Sequence, residues 1–182
     1  RTRVKGLKQL FSSRVAIFTL DDESSRRRGI RPDFVARISY EQIEAQDIEM
    51  LSGIIGLSEA AVSSTYFLHK LWGKEWLKRL MNLTAEEVED LARNYGQHAG
   101  TLSALVRRLH ILERFDFLKP SVEDPSVQRI LEYLSKGMSV ILEFGRYGRS
   151  LEAYVLVANY LTRRIHEEYV RRKEEALGKQ AE

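Results

Sequence analysis

The chain has no cysteine. That excludes a disulfide framework, a thiolate metal site and a cysteine nucleophile. No apolar run is long enough to cross a bilayer, and the first residues lack the layout of a secretory signal. A cytoplasmic protein without a membrane partner is expected. There is no internal repeat and no low-complexity tract. The four histidines, His69, His98, His110 and His166, are scattered. The HEEY stretch at His166 is not HExxH, so zinc chemistry has no support. No GxSxG elbow occurs either.

A nucleotide-phosphate loop is also missing. The Gly-Lys pairs, Gly73-Lys74 and Gly178-Lys179, have neither the earlier glycine nor the following hydroxyl of GxxxxGK[ST]. The apolar stretch at residues 14–20 leads into the acids Asp21, Asp22 and Glu23, which read as a turn and not as the Asp-Glu pair of a Walker B element. Without these groups nothing cradles a β-phosphate or holds Mg²⁺. No cofactor or metal is therefore expected within the chain itself.

What is present is charge, unevenly placed. Residues 1–40 carry ten Lys/Arg against four Asp/Glu, and the rest carries nineteen against twenty-two. A basic beginning suits a polyanion or an acidic surface. Its centre is Arg26, Arg27, Arg28 and Arg31, candidate contacts to a nucleic-acid backbone. The alternative is an exposed, solvated loop. The preceding trio Asp21, Asp22 and Glu23 is either a Mg²⁺ site or, the favoured reading, a solvated turn.

Residues 14–20 (RVAIFTL) read as a strand, and residues 34–40 (FVARISY) as a second, short one. From residue 41 to 136 the pattern is helical. Ile43, Ile48, Leu51 and Ile54/Ile55 form a stripe that Gly53 and Gly56 are expected to break. Ser58 starts the next helix, and Thr84 with Glu87 makes a capping box. Gly96 terminates that helix, and Thr101 opens another. Residues 115–124 read as a connector. Asp124 with Pro125 is a helix start, and Gly137 is the corresponding stop. A strand over residues 140–144 follows, then a helix from Ser150. The helix's first half is apolar nearly all round and is expected to be buried. From Arg163 it is charged, with Glu167–Arg171 and Glu168–Arg172 at i,i+4, and is expected to leave the body.

The GRYGR turn, residues 145–149, sits between that strand and that helix. Ligands of open α/β sheets gather at carboxyl ends of strands, and Arg146 and Arg149 offer forked donors suited to phosphate. The alternative is a tight turn whose arginines pair with Glu143 or Glu152. Glu143 interrupts an apolar strand and reads as an arginine's structural partner in preference to a catalytic carboxylate. Trp72 and Trp76, among Lys70, Lys74, Lys78 and Arg79, either stack bases or, the favoured reading, line the core.

SVILEFGRYGRSLEAYVLVANYLTRRIHEEYV, residues 139–170, resembles the HerA-type ATPases of archaea, relatives of the FtsK motors. There a similar strand, loop and helix lie just ahead of the Walker B strand. RVAIFTLDDESSRRRGIRPDFVARISYEQI is similar to the region after the Walker A half. The resemblance implies a hexameric ring that uses ATP and Mg²⁺ to move or unwind double-stranded DNA, often with a NurA-type nuclease. It implies that Arg146 or Arg149 lies near a subunit interface or pore, as a trans-acting arginine. The chain departs from the family in holding only the segment between the Walker motifs. With Arg1 at one end and a charged helix at the other, both ends read as cut.

The expectation is thus a mainly α fold with a few β-strands, an α/β fragment. Residues 1–40 and 138–182 belong to an incomplete P-loop ATPase sheet, and a helical subdomain, 41–137, is inserted between its strands. Alone it is expected not to hydrolyse ATP. The rival readings are a self-contained helical protein-interaction module and a small nucleic-acid-binding domain. A complete module buries both margins of its sheet, whereas a fragment leaves a strand edge or apolar face uncovered.

Overall fold

A computed structural model describes residues 5–123 and 126–180, the last two as backbone. The expected helix start at Asp124 and Pro125 lies outside the described residues. The fold is mainly helical, with two small parallel sheets.

A short helix, α1 (Leu7–Leu10), leads into strand β1 (Val15–Thr19). Its β-branched and aromatic residues favour an extended backbone. Helix α2 (Asp22–Arg27) follows, capped by Asp21, whose side chain accepts from the Ser24 amide. The predicted strand at residues 34–40 is split into β2 (Phe34–Val35) and β3 (Ile38–Ser39), which belong to different sheets. The α3 helix (Ala45–Ile55) runs through Gly53 and ends at Gly56, which is left-handed at φ 69°. Gly53 therefore does not break the helix; a glycine inside a helix costs only about 1 kcal/mol, and packing overrides it. Helices α4 (Glu59–Trp72), α5 (Trp76–Met81) and α6 (Ala85–Tyr95) follow, with Ser58 and Thr84 as amino-terminal caps. The next helix, α7 (Ala99–Leu109), begins two residues before the expected Thr101, because the His98 ring accepts from the Thr101 amide and acts as the cap.

The expected connector contains strand β4 (Leu118–Lys119), paired parallel to β3. Then come α8 (Ser126–Ser135), β5 (Ser139–Glu143) and α9 (Leu151–Gln180). At 1.5 Å per residue α9 is about 45 Å long.

The three-stranded sheet has the order β2-β1-β5, all parallel. β1 and β5 pair along their full lengths, Val15 opposite Ser139 through Thr19 opposite Glu143. Helices α3 to α8 thus lie, in the chain, between two adjacent strands. Asp33 extends the other margin: its Oδ2 accepts from the Ile17 amide at 2.8 Å, and its own amide donates to Ile17 O. The backbone groups of Ala16, Phe18 and Leu20 face β5, since Leu20 N donates to Glu143 O and Ser139 N to Arg14 O. Strand alternation then turns the amides and carbonyls of Val140 and Leu142 outward. β5 is the margin of this sheet among the described residues.

One face of β1, with Ala16, Phe18 and Leu20, enters a continuous core with Ile48, Leu51, Leu68, Trp76, Leu105, Leu156 and Val157. Burying each of the larger side chains contributes about 1.5–3 kcal/mol. The first half of α9 is not buried all round. Ala153, Leu156, Val157 and Tyr160 are inside, whereas Leu151 and Tyr154 are more than half exposed. Nor does α9 leave the body at Arg163, whose side chain is only 9 % exposed.

Candidate functional site

The carboxyl ends of β1 and β5 meet at Thr19 and Glu143, and four segments converge there. Glu143 Oε2 accepts from Ser25 Oγ at 2.5 Å and from the Gly145 amide at 3.0 Å. Its Oε1 takes Arg28 Nη2 at 2.5 Å. Thr19 Oγ1 and Ser25 Oγ lie 2.7 Å apart, both fully buried. Glu143 is thus an arginine's partner, as expected, and a junction between β5, α2 and the GRYGR turn.

That turn is a 3-10 helix, Gly145–Arg149. Two contacts fix it. Gly145 adopts φ +58°, and a Cβ there would stand 2.5 Å from Asp21 Cβ. Tyr147 is 6 % exposed, and its ring meets Phe115 and Phe117 edge-on at 5.9 and 5.0 Å. Tyr147 Oη accepts from the Asp116 amide and from Arg146 Nη2. Arg146 also pairs with Asp116 and stands 3.7 Å from Asp21 Oδ2. Its hydrogen bond to Tyr147, reinforced by Asp116, holds the guanidinium above its ordinary pKa. The partners of Arg146 are therefore Asp21 and Asp116, not Glu143 or Glu152. Glu152 instead accepts from Ser150 Oγ at 2.8 Å. A hydrogen bond to its own backbone amide, then the Ser150 bond, keeps its carboxyl below the usual range.

The other candidates separate into paired and free cations. Arg26 is held by Asp22 and Arg27 by Glu23, each one helical turn away. Arg28 is held by Glu143. Arg31 and Arg149 are exposed and have no ion-pair partner among the described residues. The Asp21–Glu23 trio does not converge: Asp21 caps α2, and the other two carboxylates face Arg26 and Arg27. No group of three or more ligating side chains placed for a metal occurs among the described residues.

Trp76 is fully buried, and its indole donates to Ile43 O at 2.9 Å, so it is a core residue and presents no face to a base. Trp72 is half-buried against the same core.

Sequence reasoning missed two groups. The first is structural. Asp47, fully buried on α3, accepts from Asn159 and Arg163 of α9. Burial opposes the charge on Arg163, but Asp47, Glu167 and Glu44 outweigh it and hold the guanidinium above its ordinary value. The second is a set of exposed arginines, Arg107, Arg108 and Arg114, beside the GRYGR turn. Their signal was the RR pair closing α7, which the sequence reading left unassigned.

Comparison with protein-family models, with curated proteins and with solved structures finds no match.

Proposed function

We propose that the chain is the segment between the Walker motifs of a HerA-type, ATP-driven DNA translocase. In this reading it shapes a hexameric cytoplasmic ring that acts on double-stranded DNA beside a NurA-type nuclease. The observation that carries the reading is the parallel β1–β5 pair, with β1 central and the β5 edge turned outward at Val140 and Leu142. A parallel sheet of three strands, one only two residues long, is small for a nucleotide-binding core, and such cores are buried on both faces. The outward edge offers a further strand its pairing partner. A self-contained interaction module would instead cover that margin.

The GRYGR turn and the amino terminus of α2 lie together at the carboxyl ends of the strands, where open α/β sheets take ligands. Arg149, exposed and unpaired among the described residues, is the better candidate for a trans-acting arginine; Arg146 is already committed to Asp21 and Asp116. The residues present do not fit ATP and Mg²⁺ by themselves. No phosphate loop is encoded, and the nearby carboxylates Asp21 and Glu143 serve a helix cap and a junction. In this reading, nucleotide chemistry belongs to residues outside the chain. No helix among the described residues is long and apolar enough to cross a membrane.

The test is to read the gene on both sides of Arg1 and Glu182, then express the whole frame and measure ATP hydrolysis with and without duplex DNA. GxxxxGK[ST] upstream, an apolar strand ending in acids downstream, and DNA-stimulated hydrolysis that Arg149→Ala abolishes are the expected results. Hydrolysis above background by the isolated chain, or a frame lacking both motifs, would sink the proposal.

A further inference from the structure

Two open clefts adjoin on the surface next to the GRYGR turn. One, of about 380 Å³, is lined by Arg107, Arg108 and Arg114; the other, of about 440 Å³, by Arg114, Arg146 and Arg149. They share Ile111 and Arg114, so they form one groove running from the carboxyl end of α7 to the amino end of α9. Glu152 is the acidic residue lining it, and it keeps its charge: its own backbone amide, Ser150 Oγ and the charge of Arg114 hold its carboxyl below the usual range. Arg146 is neutralised by Asp116. The remaining four arginines, Arg107, Arg108, Arg114 and Arg149, are exposed and within ion-pair distance of no carboxylate among the described residues, Arg114 feeling only the longer-range pull of Glu152.

Arg31 is likewise exposed and unpaired among the described residues, but its neighbours Arg26, Arg27 and Arg28 are all held by carboxylates, so that cluster offers one free cation where the groove offers several. Arg26, Arg27, Arg171 and Arg172 each meet a carboxylate within four residues. Arg108 is also placed: its guanidinium carbon lies 3.6 Å from where a Cβ on Gly56 would be, against the carboxyl end of α3.

We infer that this groove, and not the Arg26–Arg31 cluster, binds the phosphate backbone of duplex nucleic acid. Exposed guanidinium forks lining one groove suit the phosphates of a backbone. A single strand would want free rings for stacking. Phe115 and Tyr147, the aromatic lining residues, are buried and packed on one another. The choice of polyanion rests on the translocase reading. The test needs no nucleotide, however, so its outcome is separate from that of the hydrolysis experiment.

The measurement is fluorescence anisotropy of a labelled duplex of about 20 base pairs, titrated with the full chain from 50 to 200 mM salt. Four phosphate contacts predict a log–log salt slope of about −3 to −4, roughly a hundredfold loss of affinity over that range. Arg107→Ala with Arg108→Ala, and separately Arg114→Ala with Arg149→Ala, should each flatten the slope by about 2 and weaken binding at 50 mM about tenfold or more. Lysine at the same positions should restore the slope, which separates charge from folding. Arg26→Ala with Arg27→Ala should change neither quantity. Absence of binding at 50 mM, a slope unmoved by the groove variants, or loss on the Arg26/Arg27 change would overturn the inference. So would tighter binding of a single strand, or equal binding of a poly-glutamate peptide, which would reassign the groove to an acidic protein.

Discussion

Asp47 and Arg163 stand 116 positions apart in the chain and meet in a forked pair, Nη2 2.7 Å from Oδ2 and Nε 3.2 Å from Oδ1. The pair locks α3 against α9. Asp47 is fully buried, and its remaining lone pairs are satisfied by Asn159 and the Glu44 amide. Removing one member leaves a buried charge uncompensated, at a cost of about 3–5 kcal/mol. Arg163→Met should therefore unfold at much lower urea than the parent chain. Adding Asp47→Leu to it should lose less than the two single changes summed. Strict additivity in urea denaturation would contradict the coupling.

Asp33 ties the strand margin to the amino-terminal helix. Burial opposes its charge, but the Ile17 amide and Lys8 together hold the carboxyl below its ordinary 3.8. The unfolded chain then binds this proton more readily than the folded one. The carboxylate's contribution is complete above pH 3.8 and is lost as pH falls through the lower, folded value. Asp33→Asn should be less stable than the parent near pH 6, and the gap should close in acid. Denaturation curves taken from pH 6 to pH 3 would show it; a gap that widens in acid would reverse the assignment.

Gly145 and Gly137 both have positive φ, +58° and +71°, but differ in space. A Cβ at Gly137 meets nothing within 4 Å, whereas one at Gly145 overlaps Asp21. Gly137→Ala should cost only the backbone strain, about 1–3 kcal/mol. Gly145→Ala should cost more, because Asp21 must move and its contacts with the Ser24 and Arg146 amides go with it. Thermal melts of the two variants give the ordering directly. Equal losses would mean that Asp21 yields freely.

Much of the fold was legible where the signal is local. Val15–Thr19 is rich in strand formers, Thr84 and Glu87 make a reciprocal cap, and Gly56 and Gly96 stop helices by turning left-handed. What stayed hidden depends on partners far along the chain. Leu118–Lys119 is too short to carry a pattern and is a strand only because β3 lies beside it. Arg163 looked like the start of the helix's solvated half, and Asp47, Glu44 and the Gln42 carbonyl, all far along the chain, make it internal. The site divides the same way. The GRYGR turn was readable as a strand-to-helix loop, but the neutralising Asp116 and the neighbouring Arg107, Arg108 and Arg114 arrive from α7 and the turn after it. Their convergence is a tertiary fact that no spacing encodes.

The two tryptophans differ in burial: Trp72 packs half-buried against the core that encloses Trp76. Trp76 is fully buried, its indole bonded to Ile43 O and its ring edge-on to His69 at 6.1 Å. Trp72→Phe leaves Trp76 as the only tryptophan, and its emission should be blue-shifted and poorly quenched by acrylamide. If the groove arginines bind duplex DNA through phosphates, that emission should not change on saturation, since no base reaches the ring. Quenching of Trp76 by DNA in this variant would mean that base stacking, not backbone contact, holds the nucleic acid. The assignment of Trp76 to the core would then fall with it.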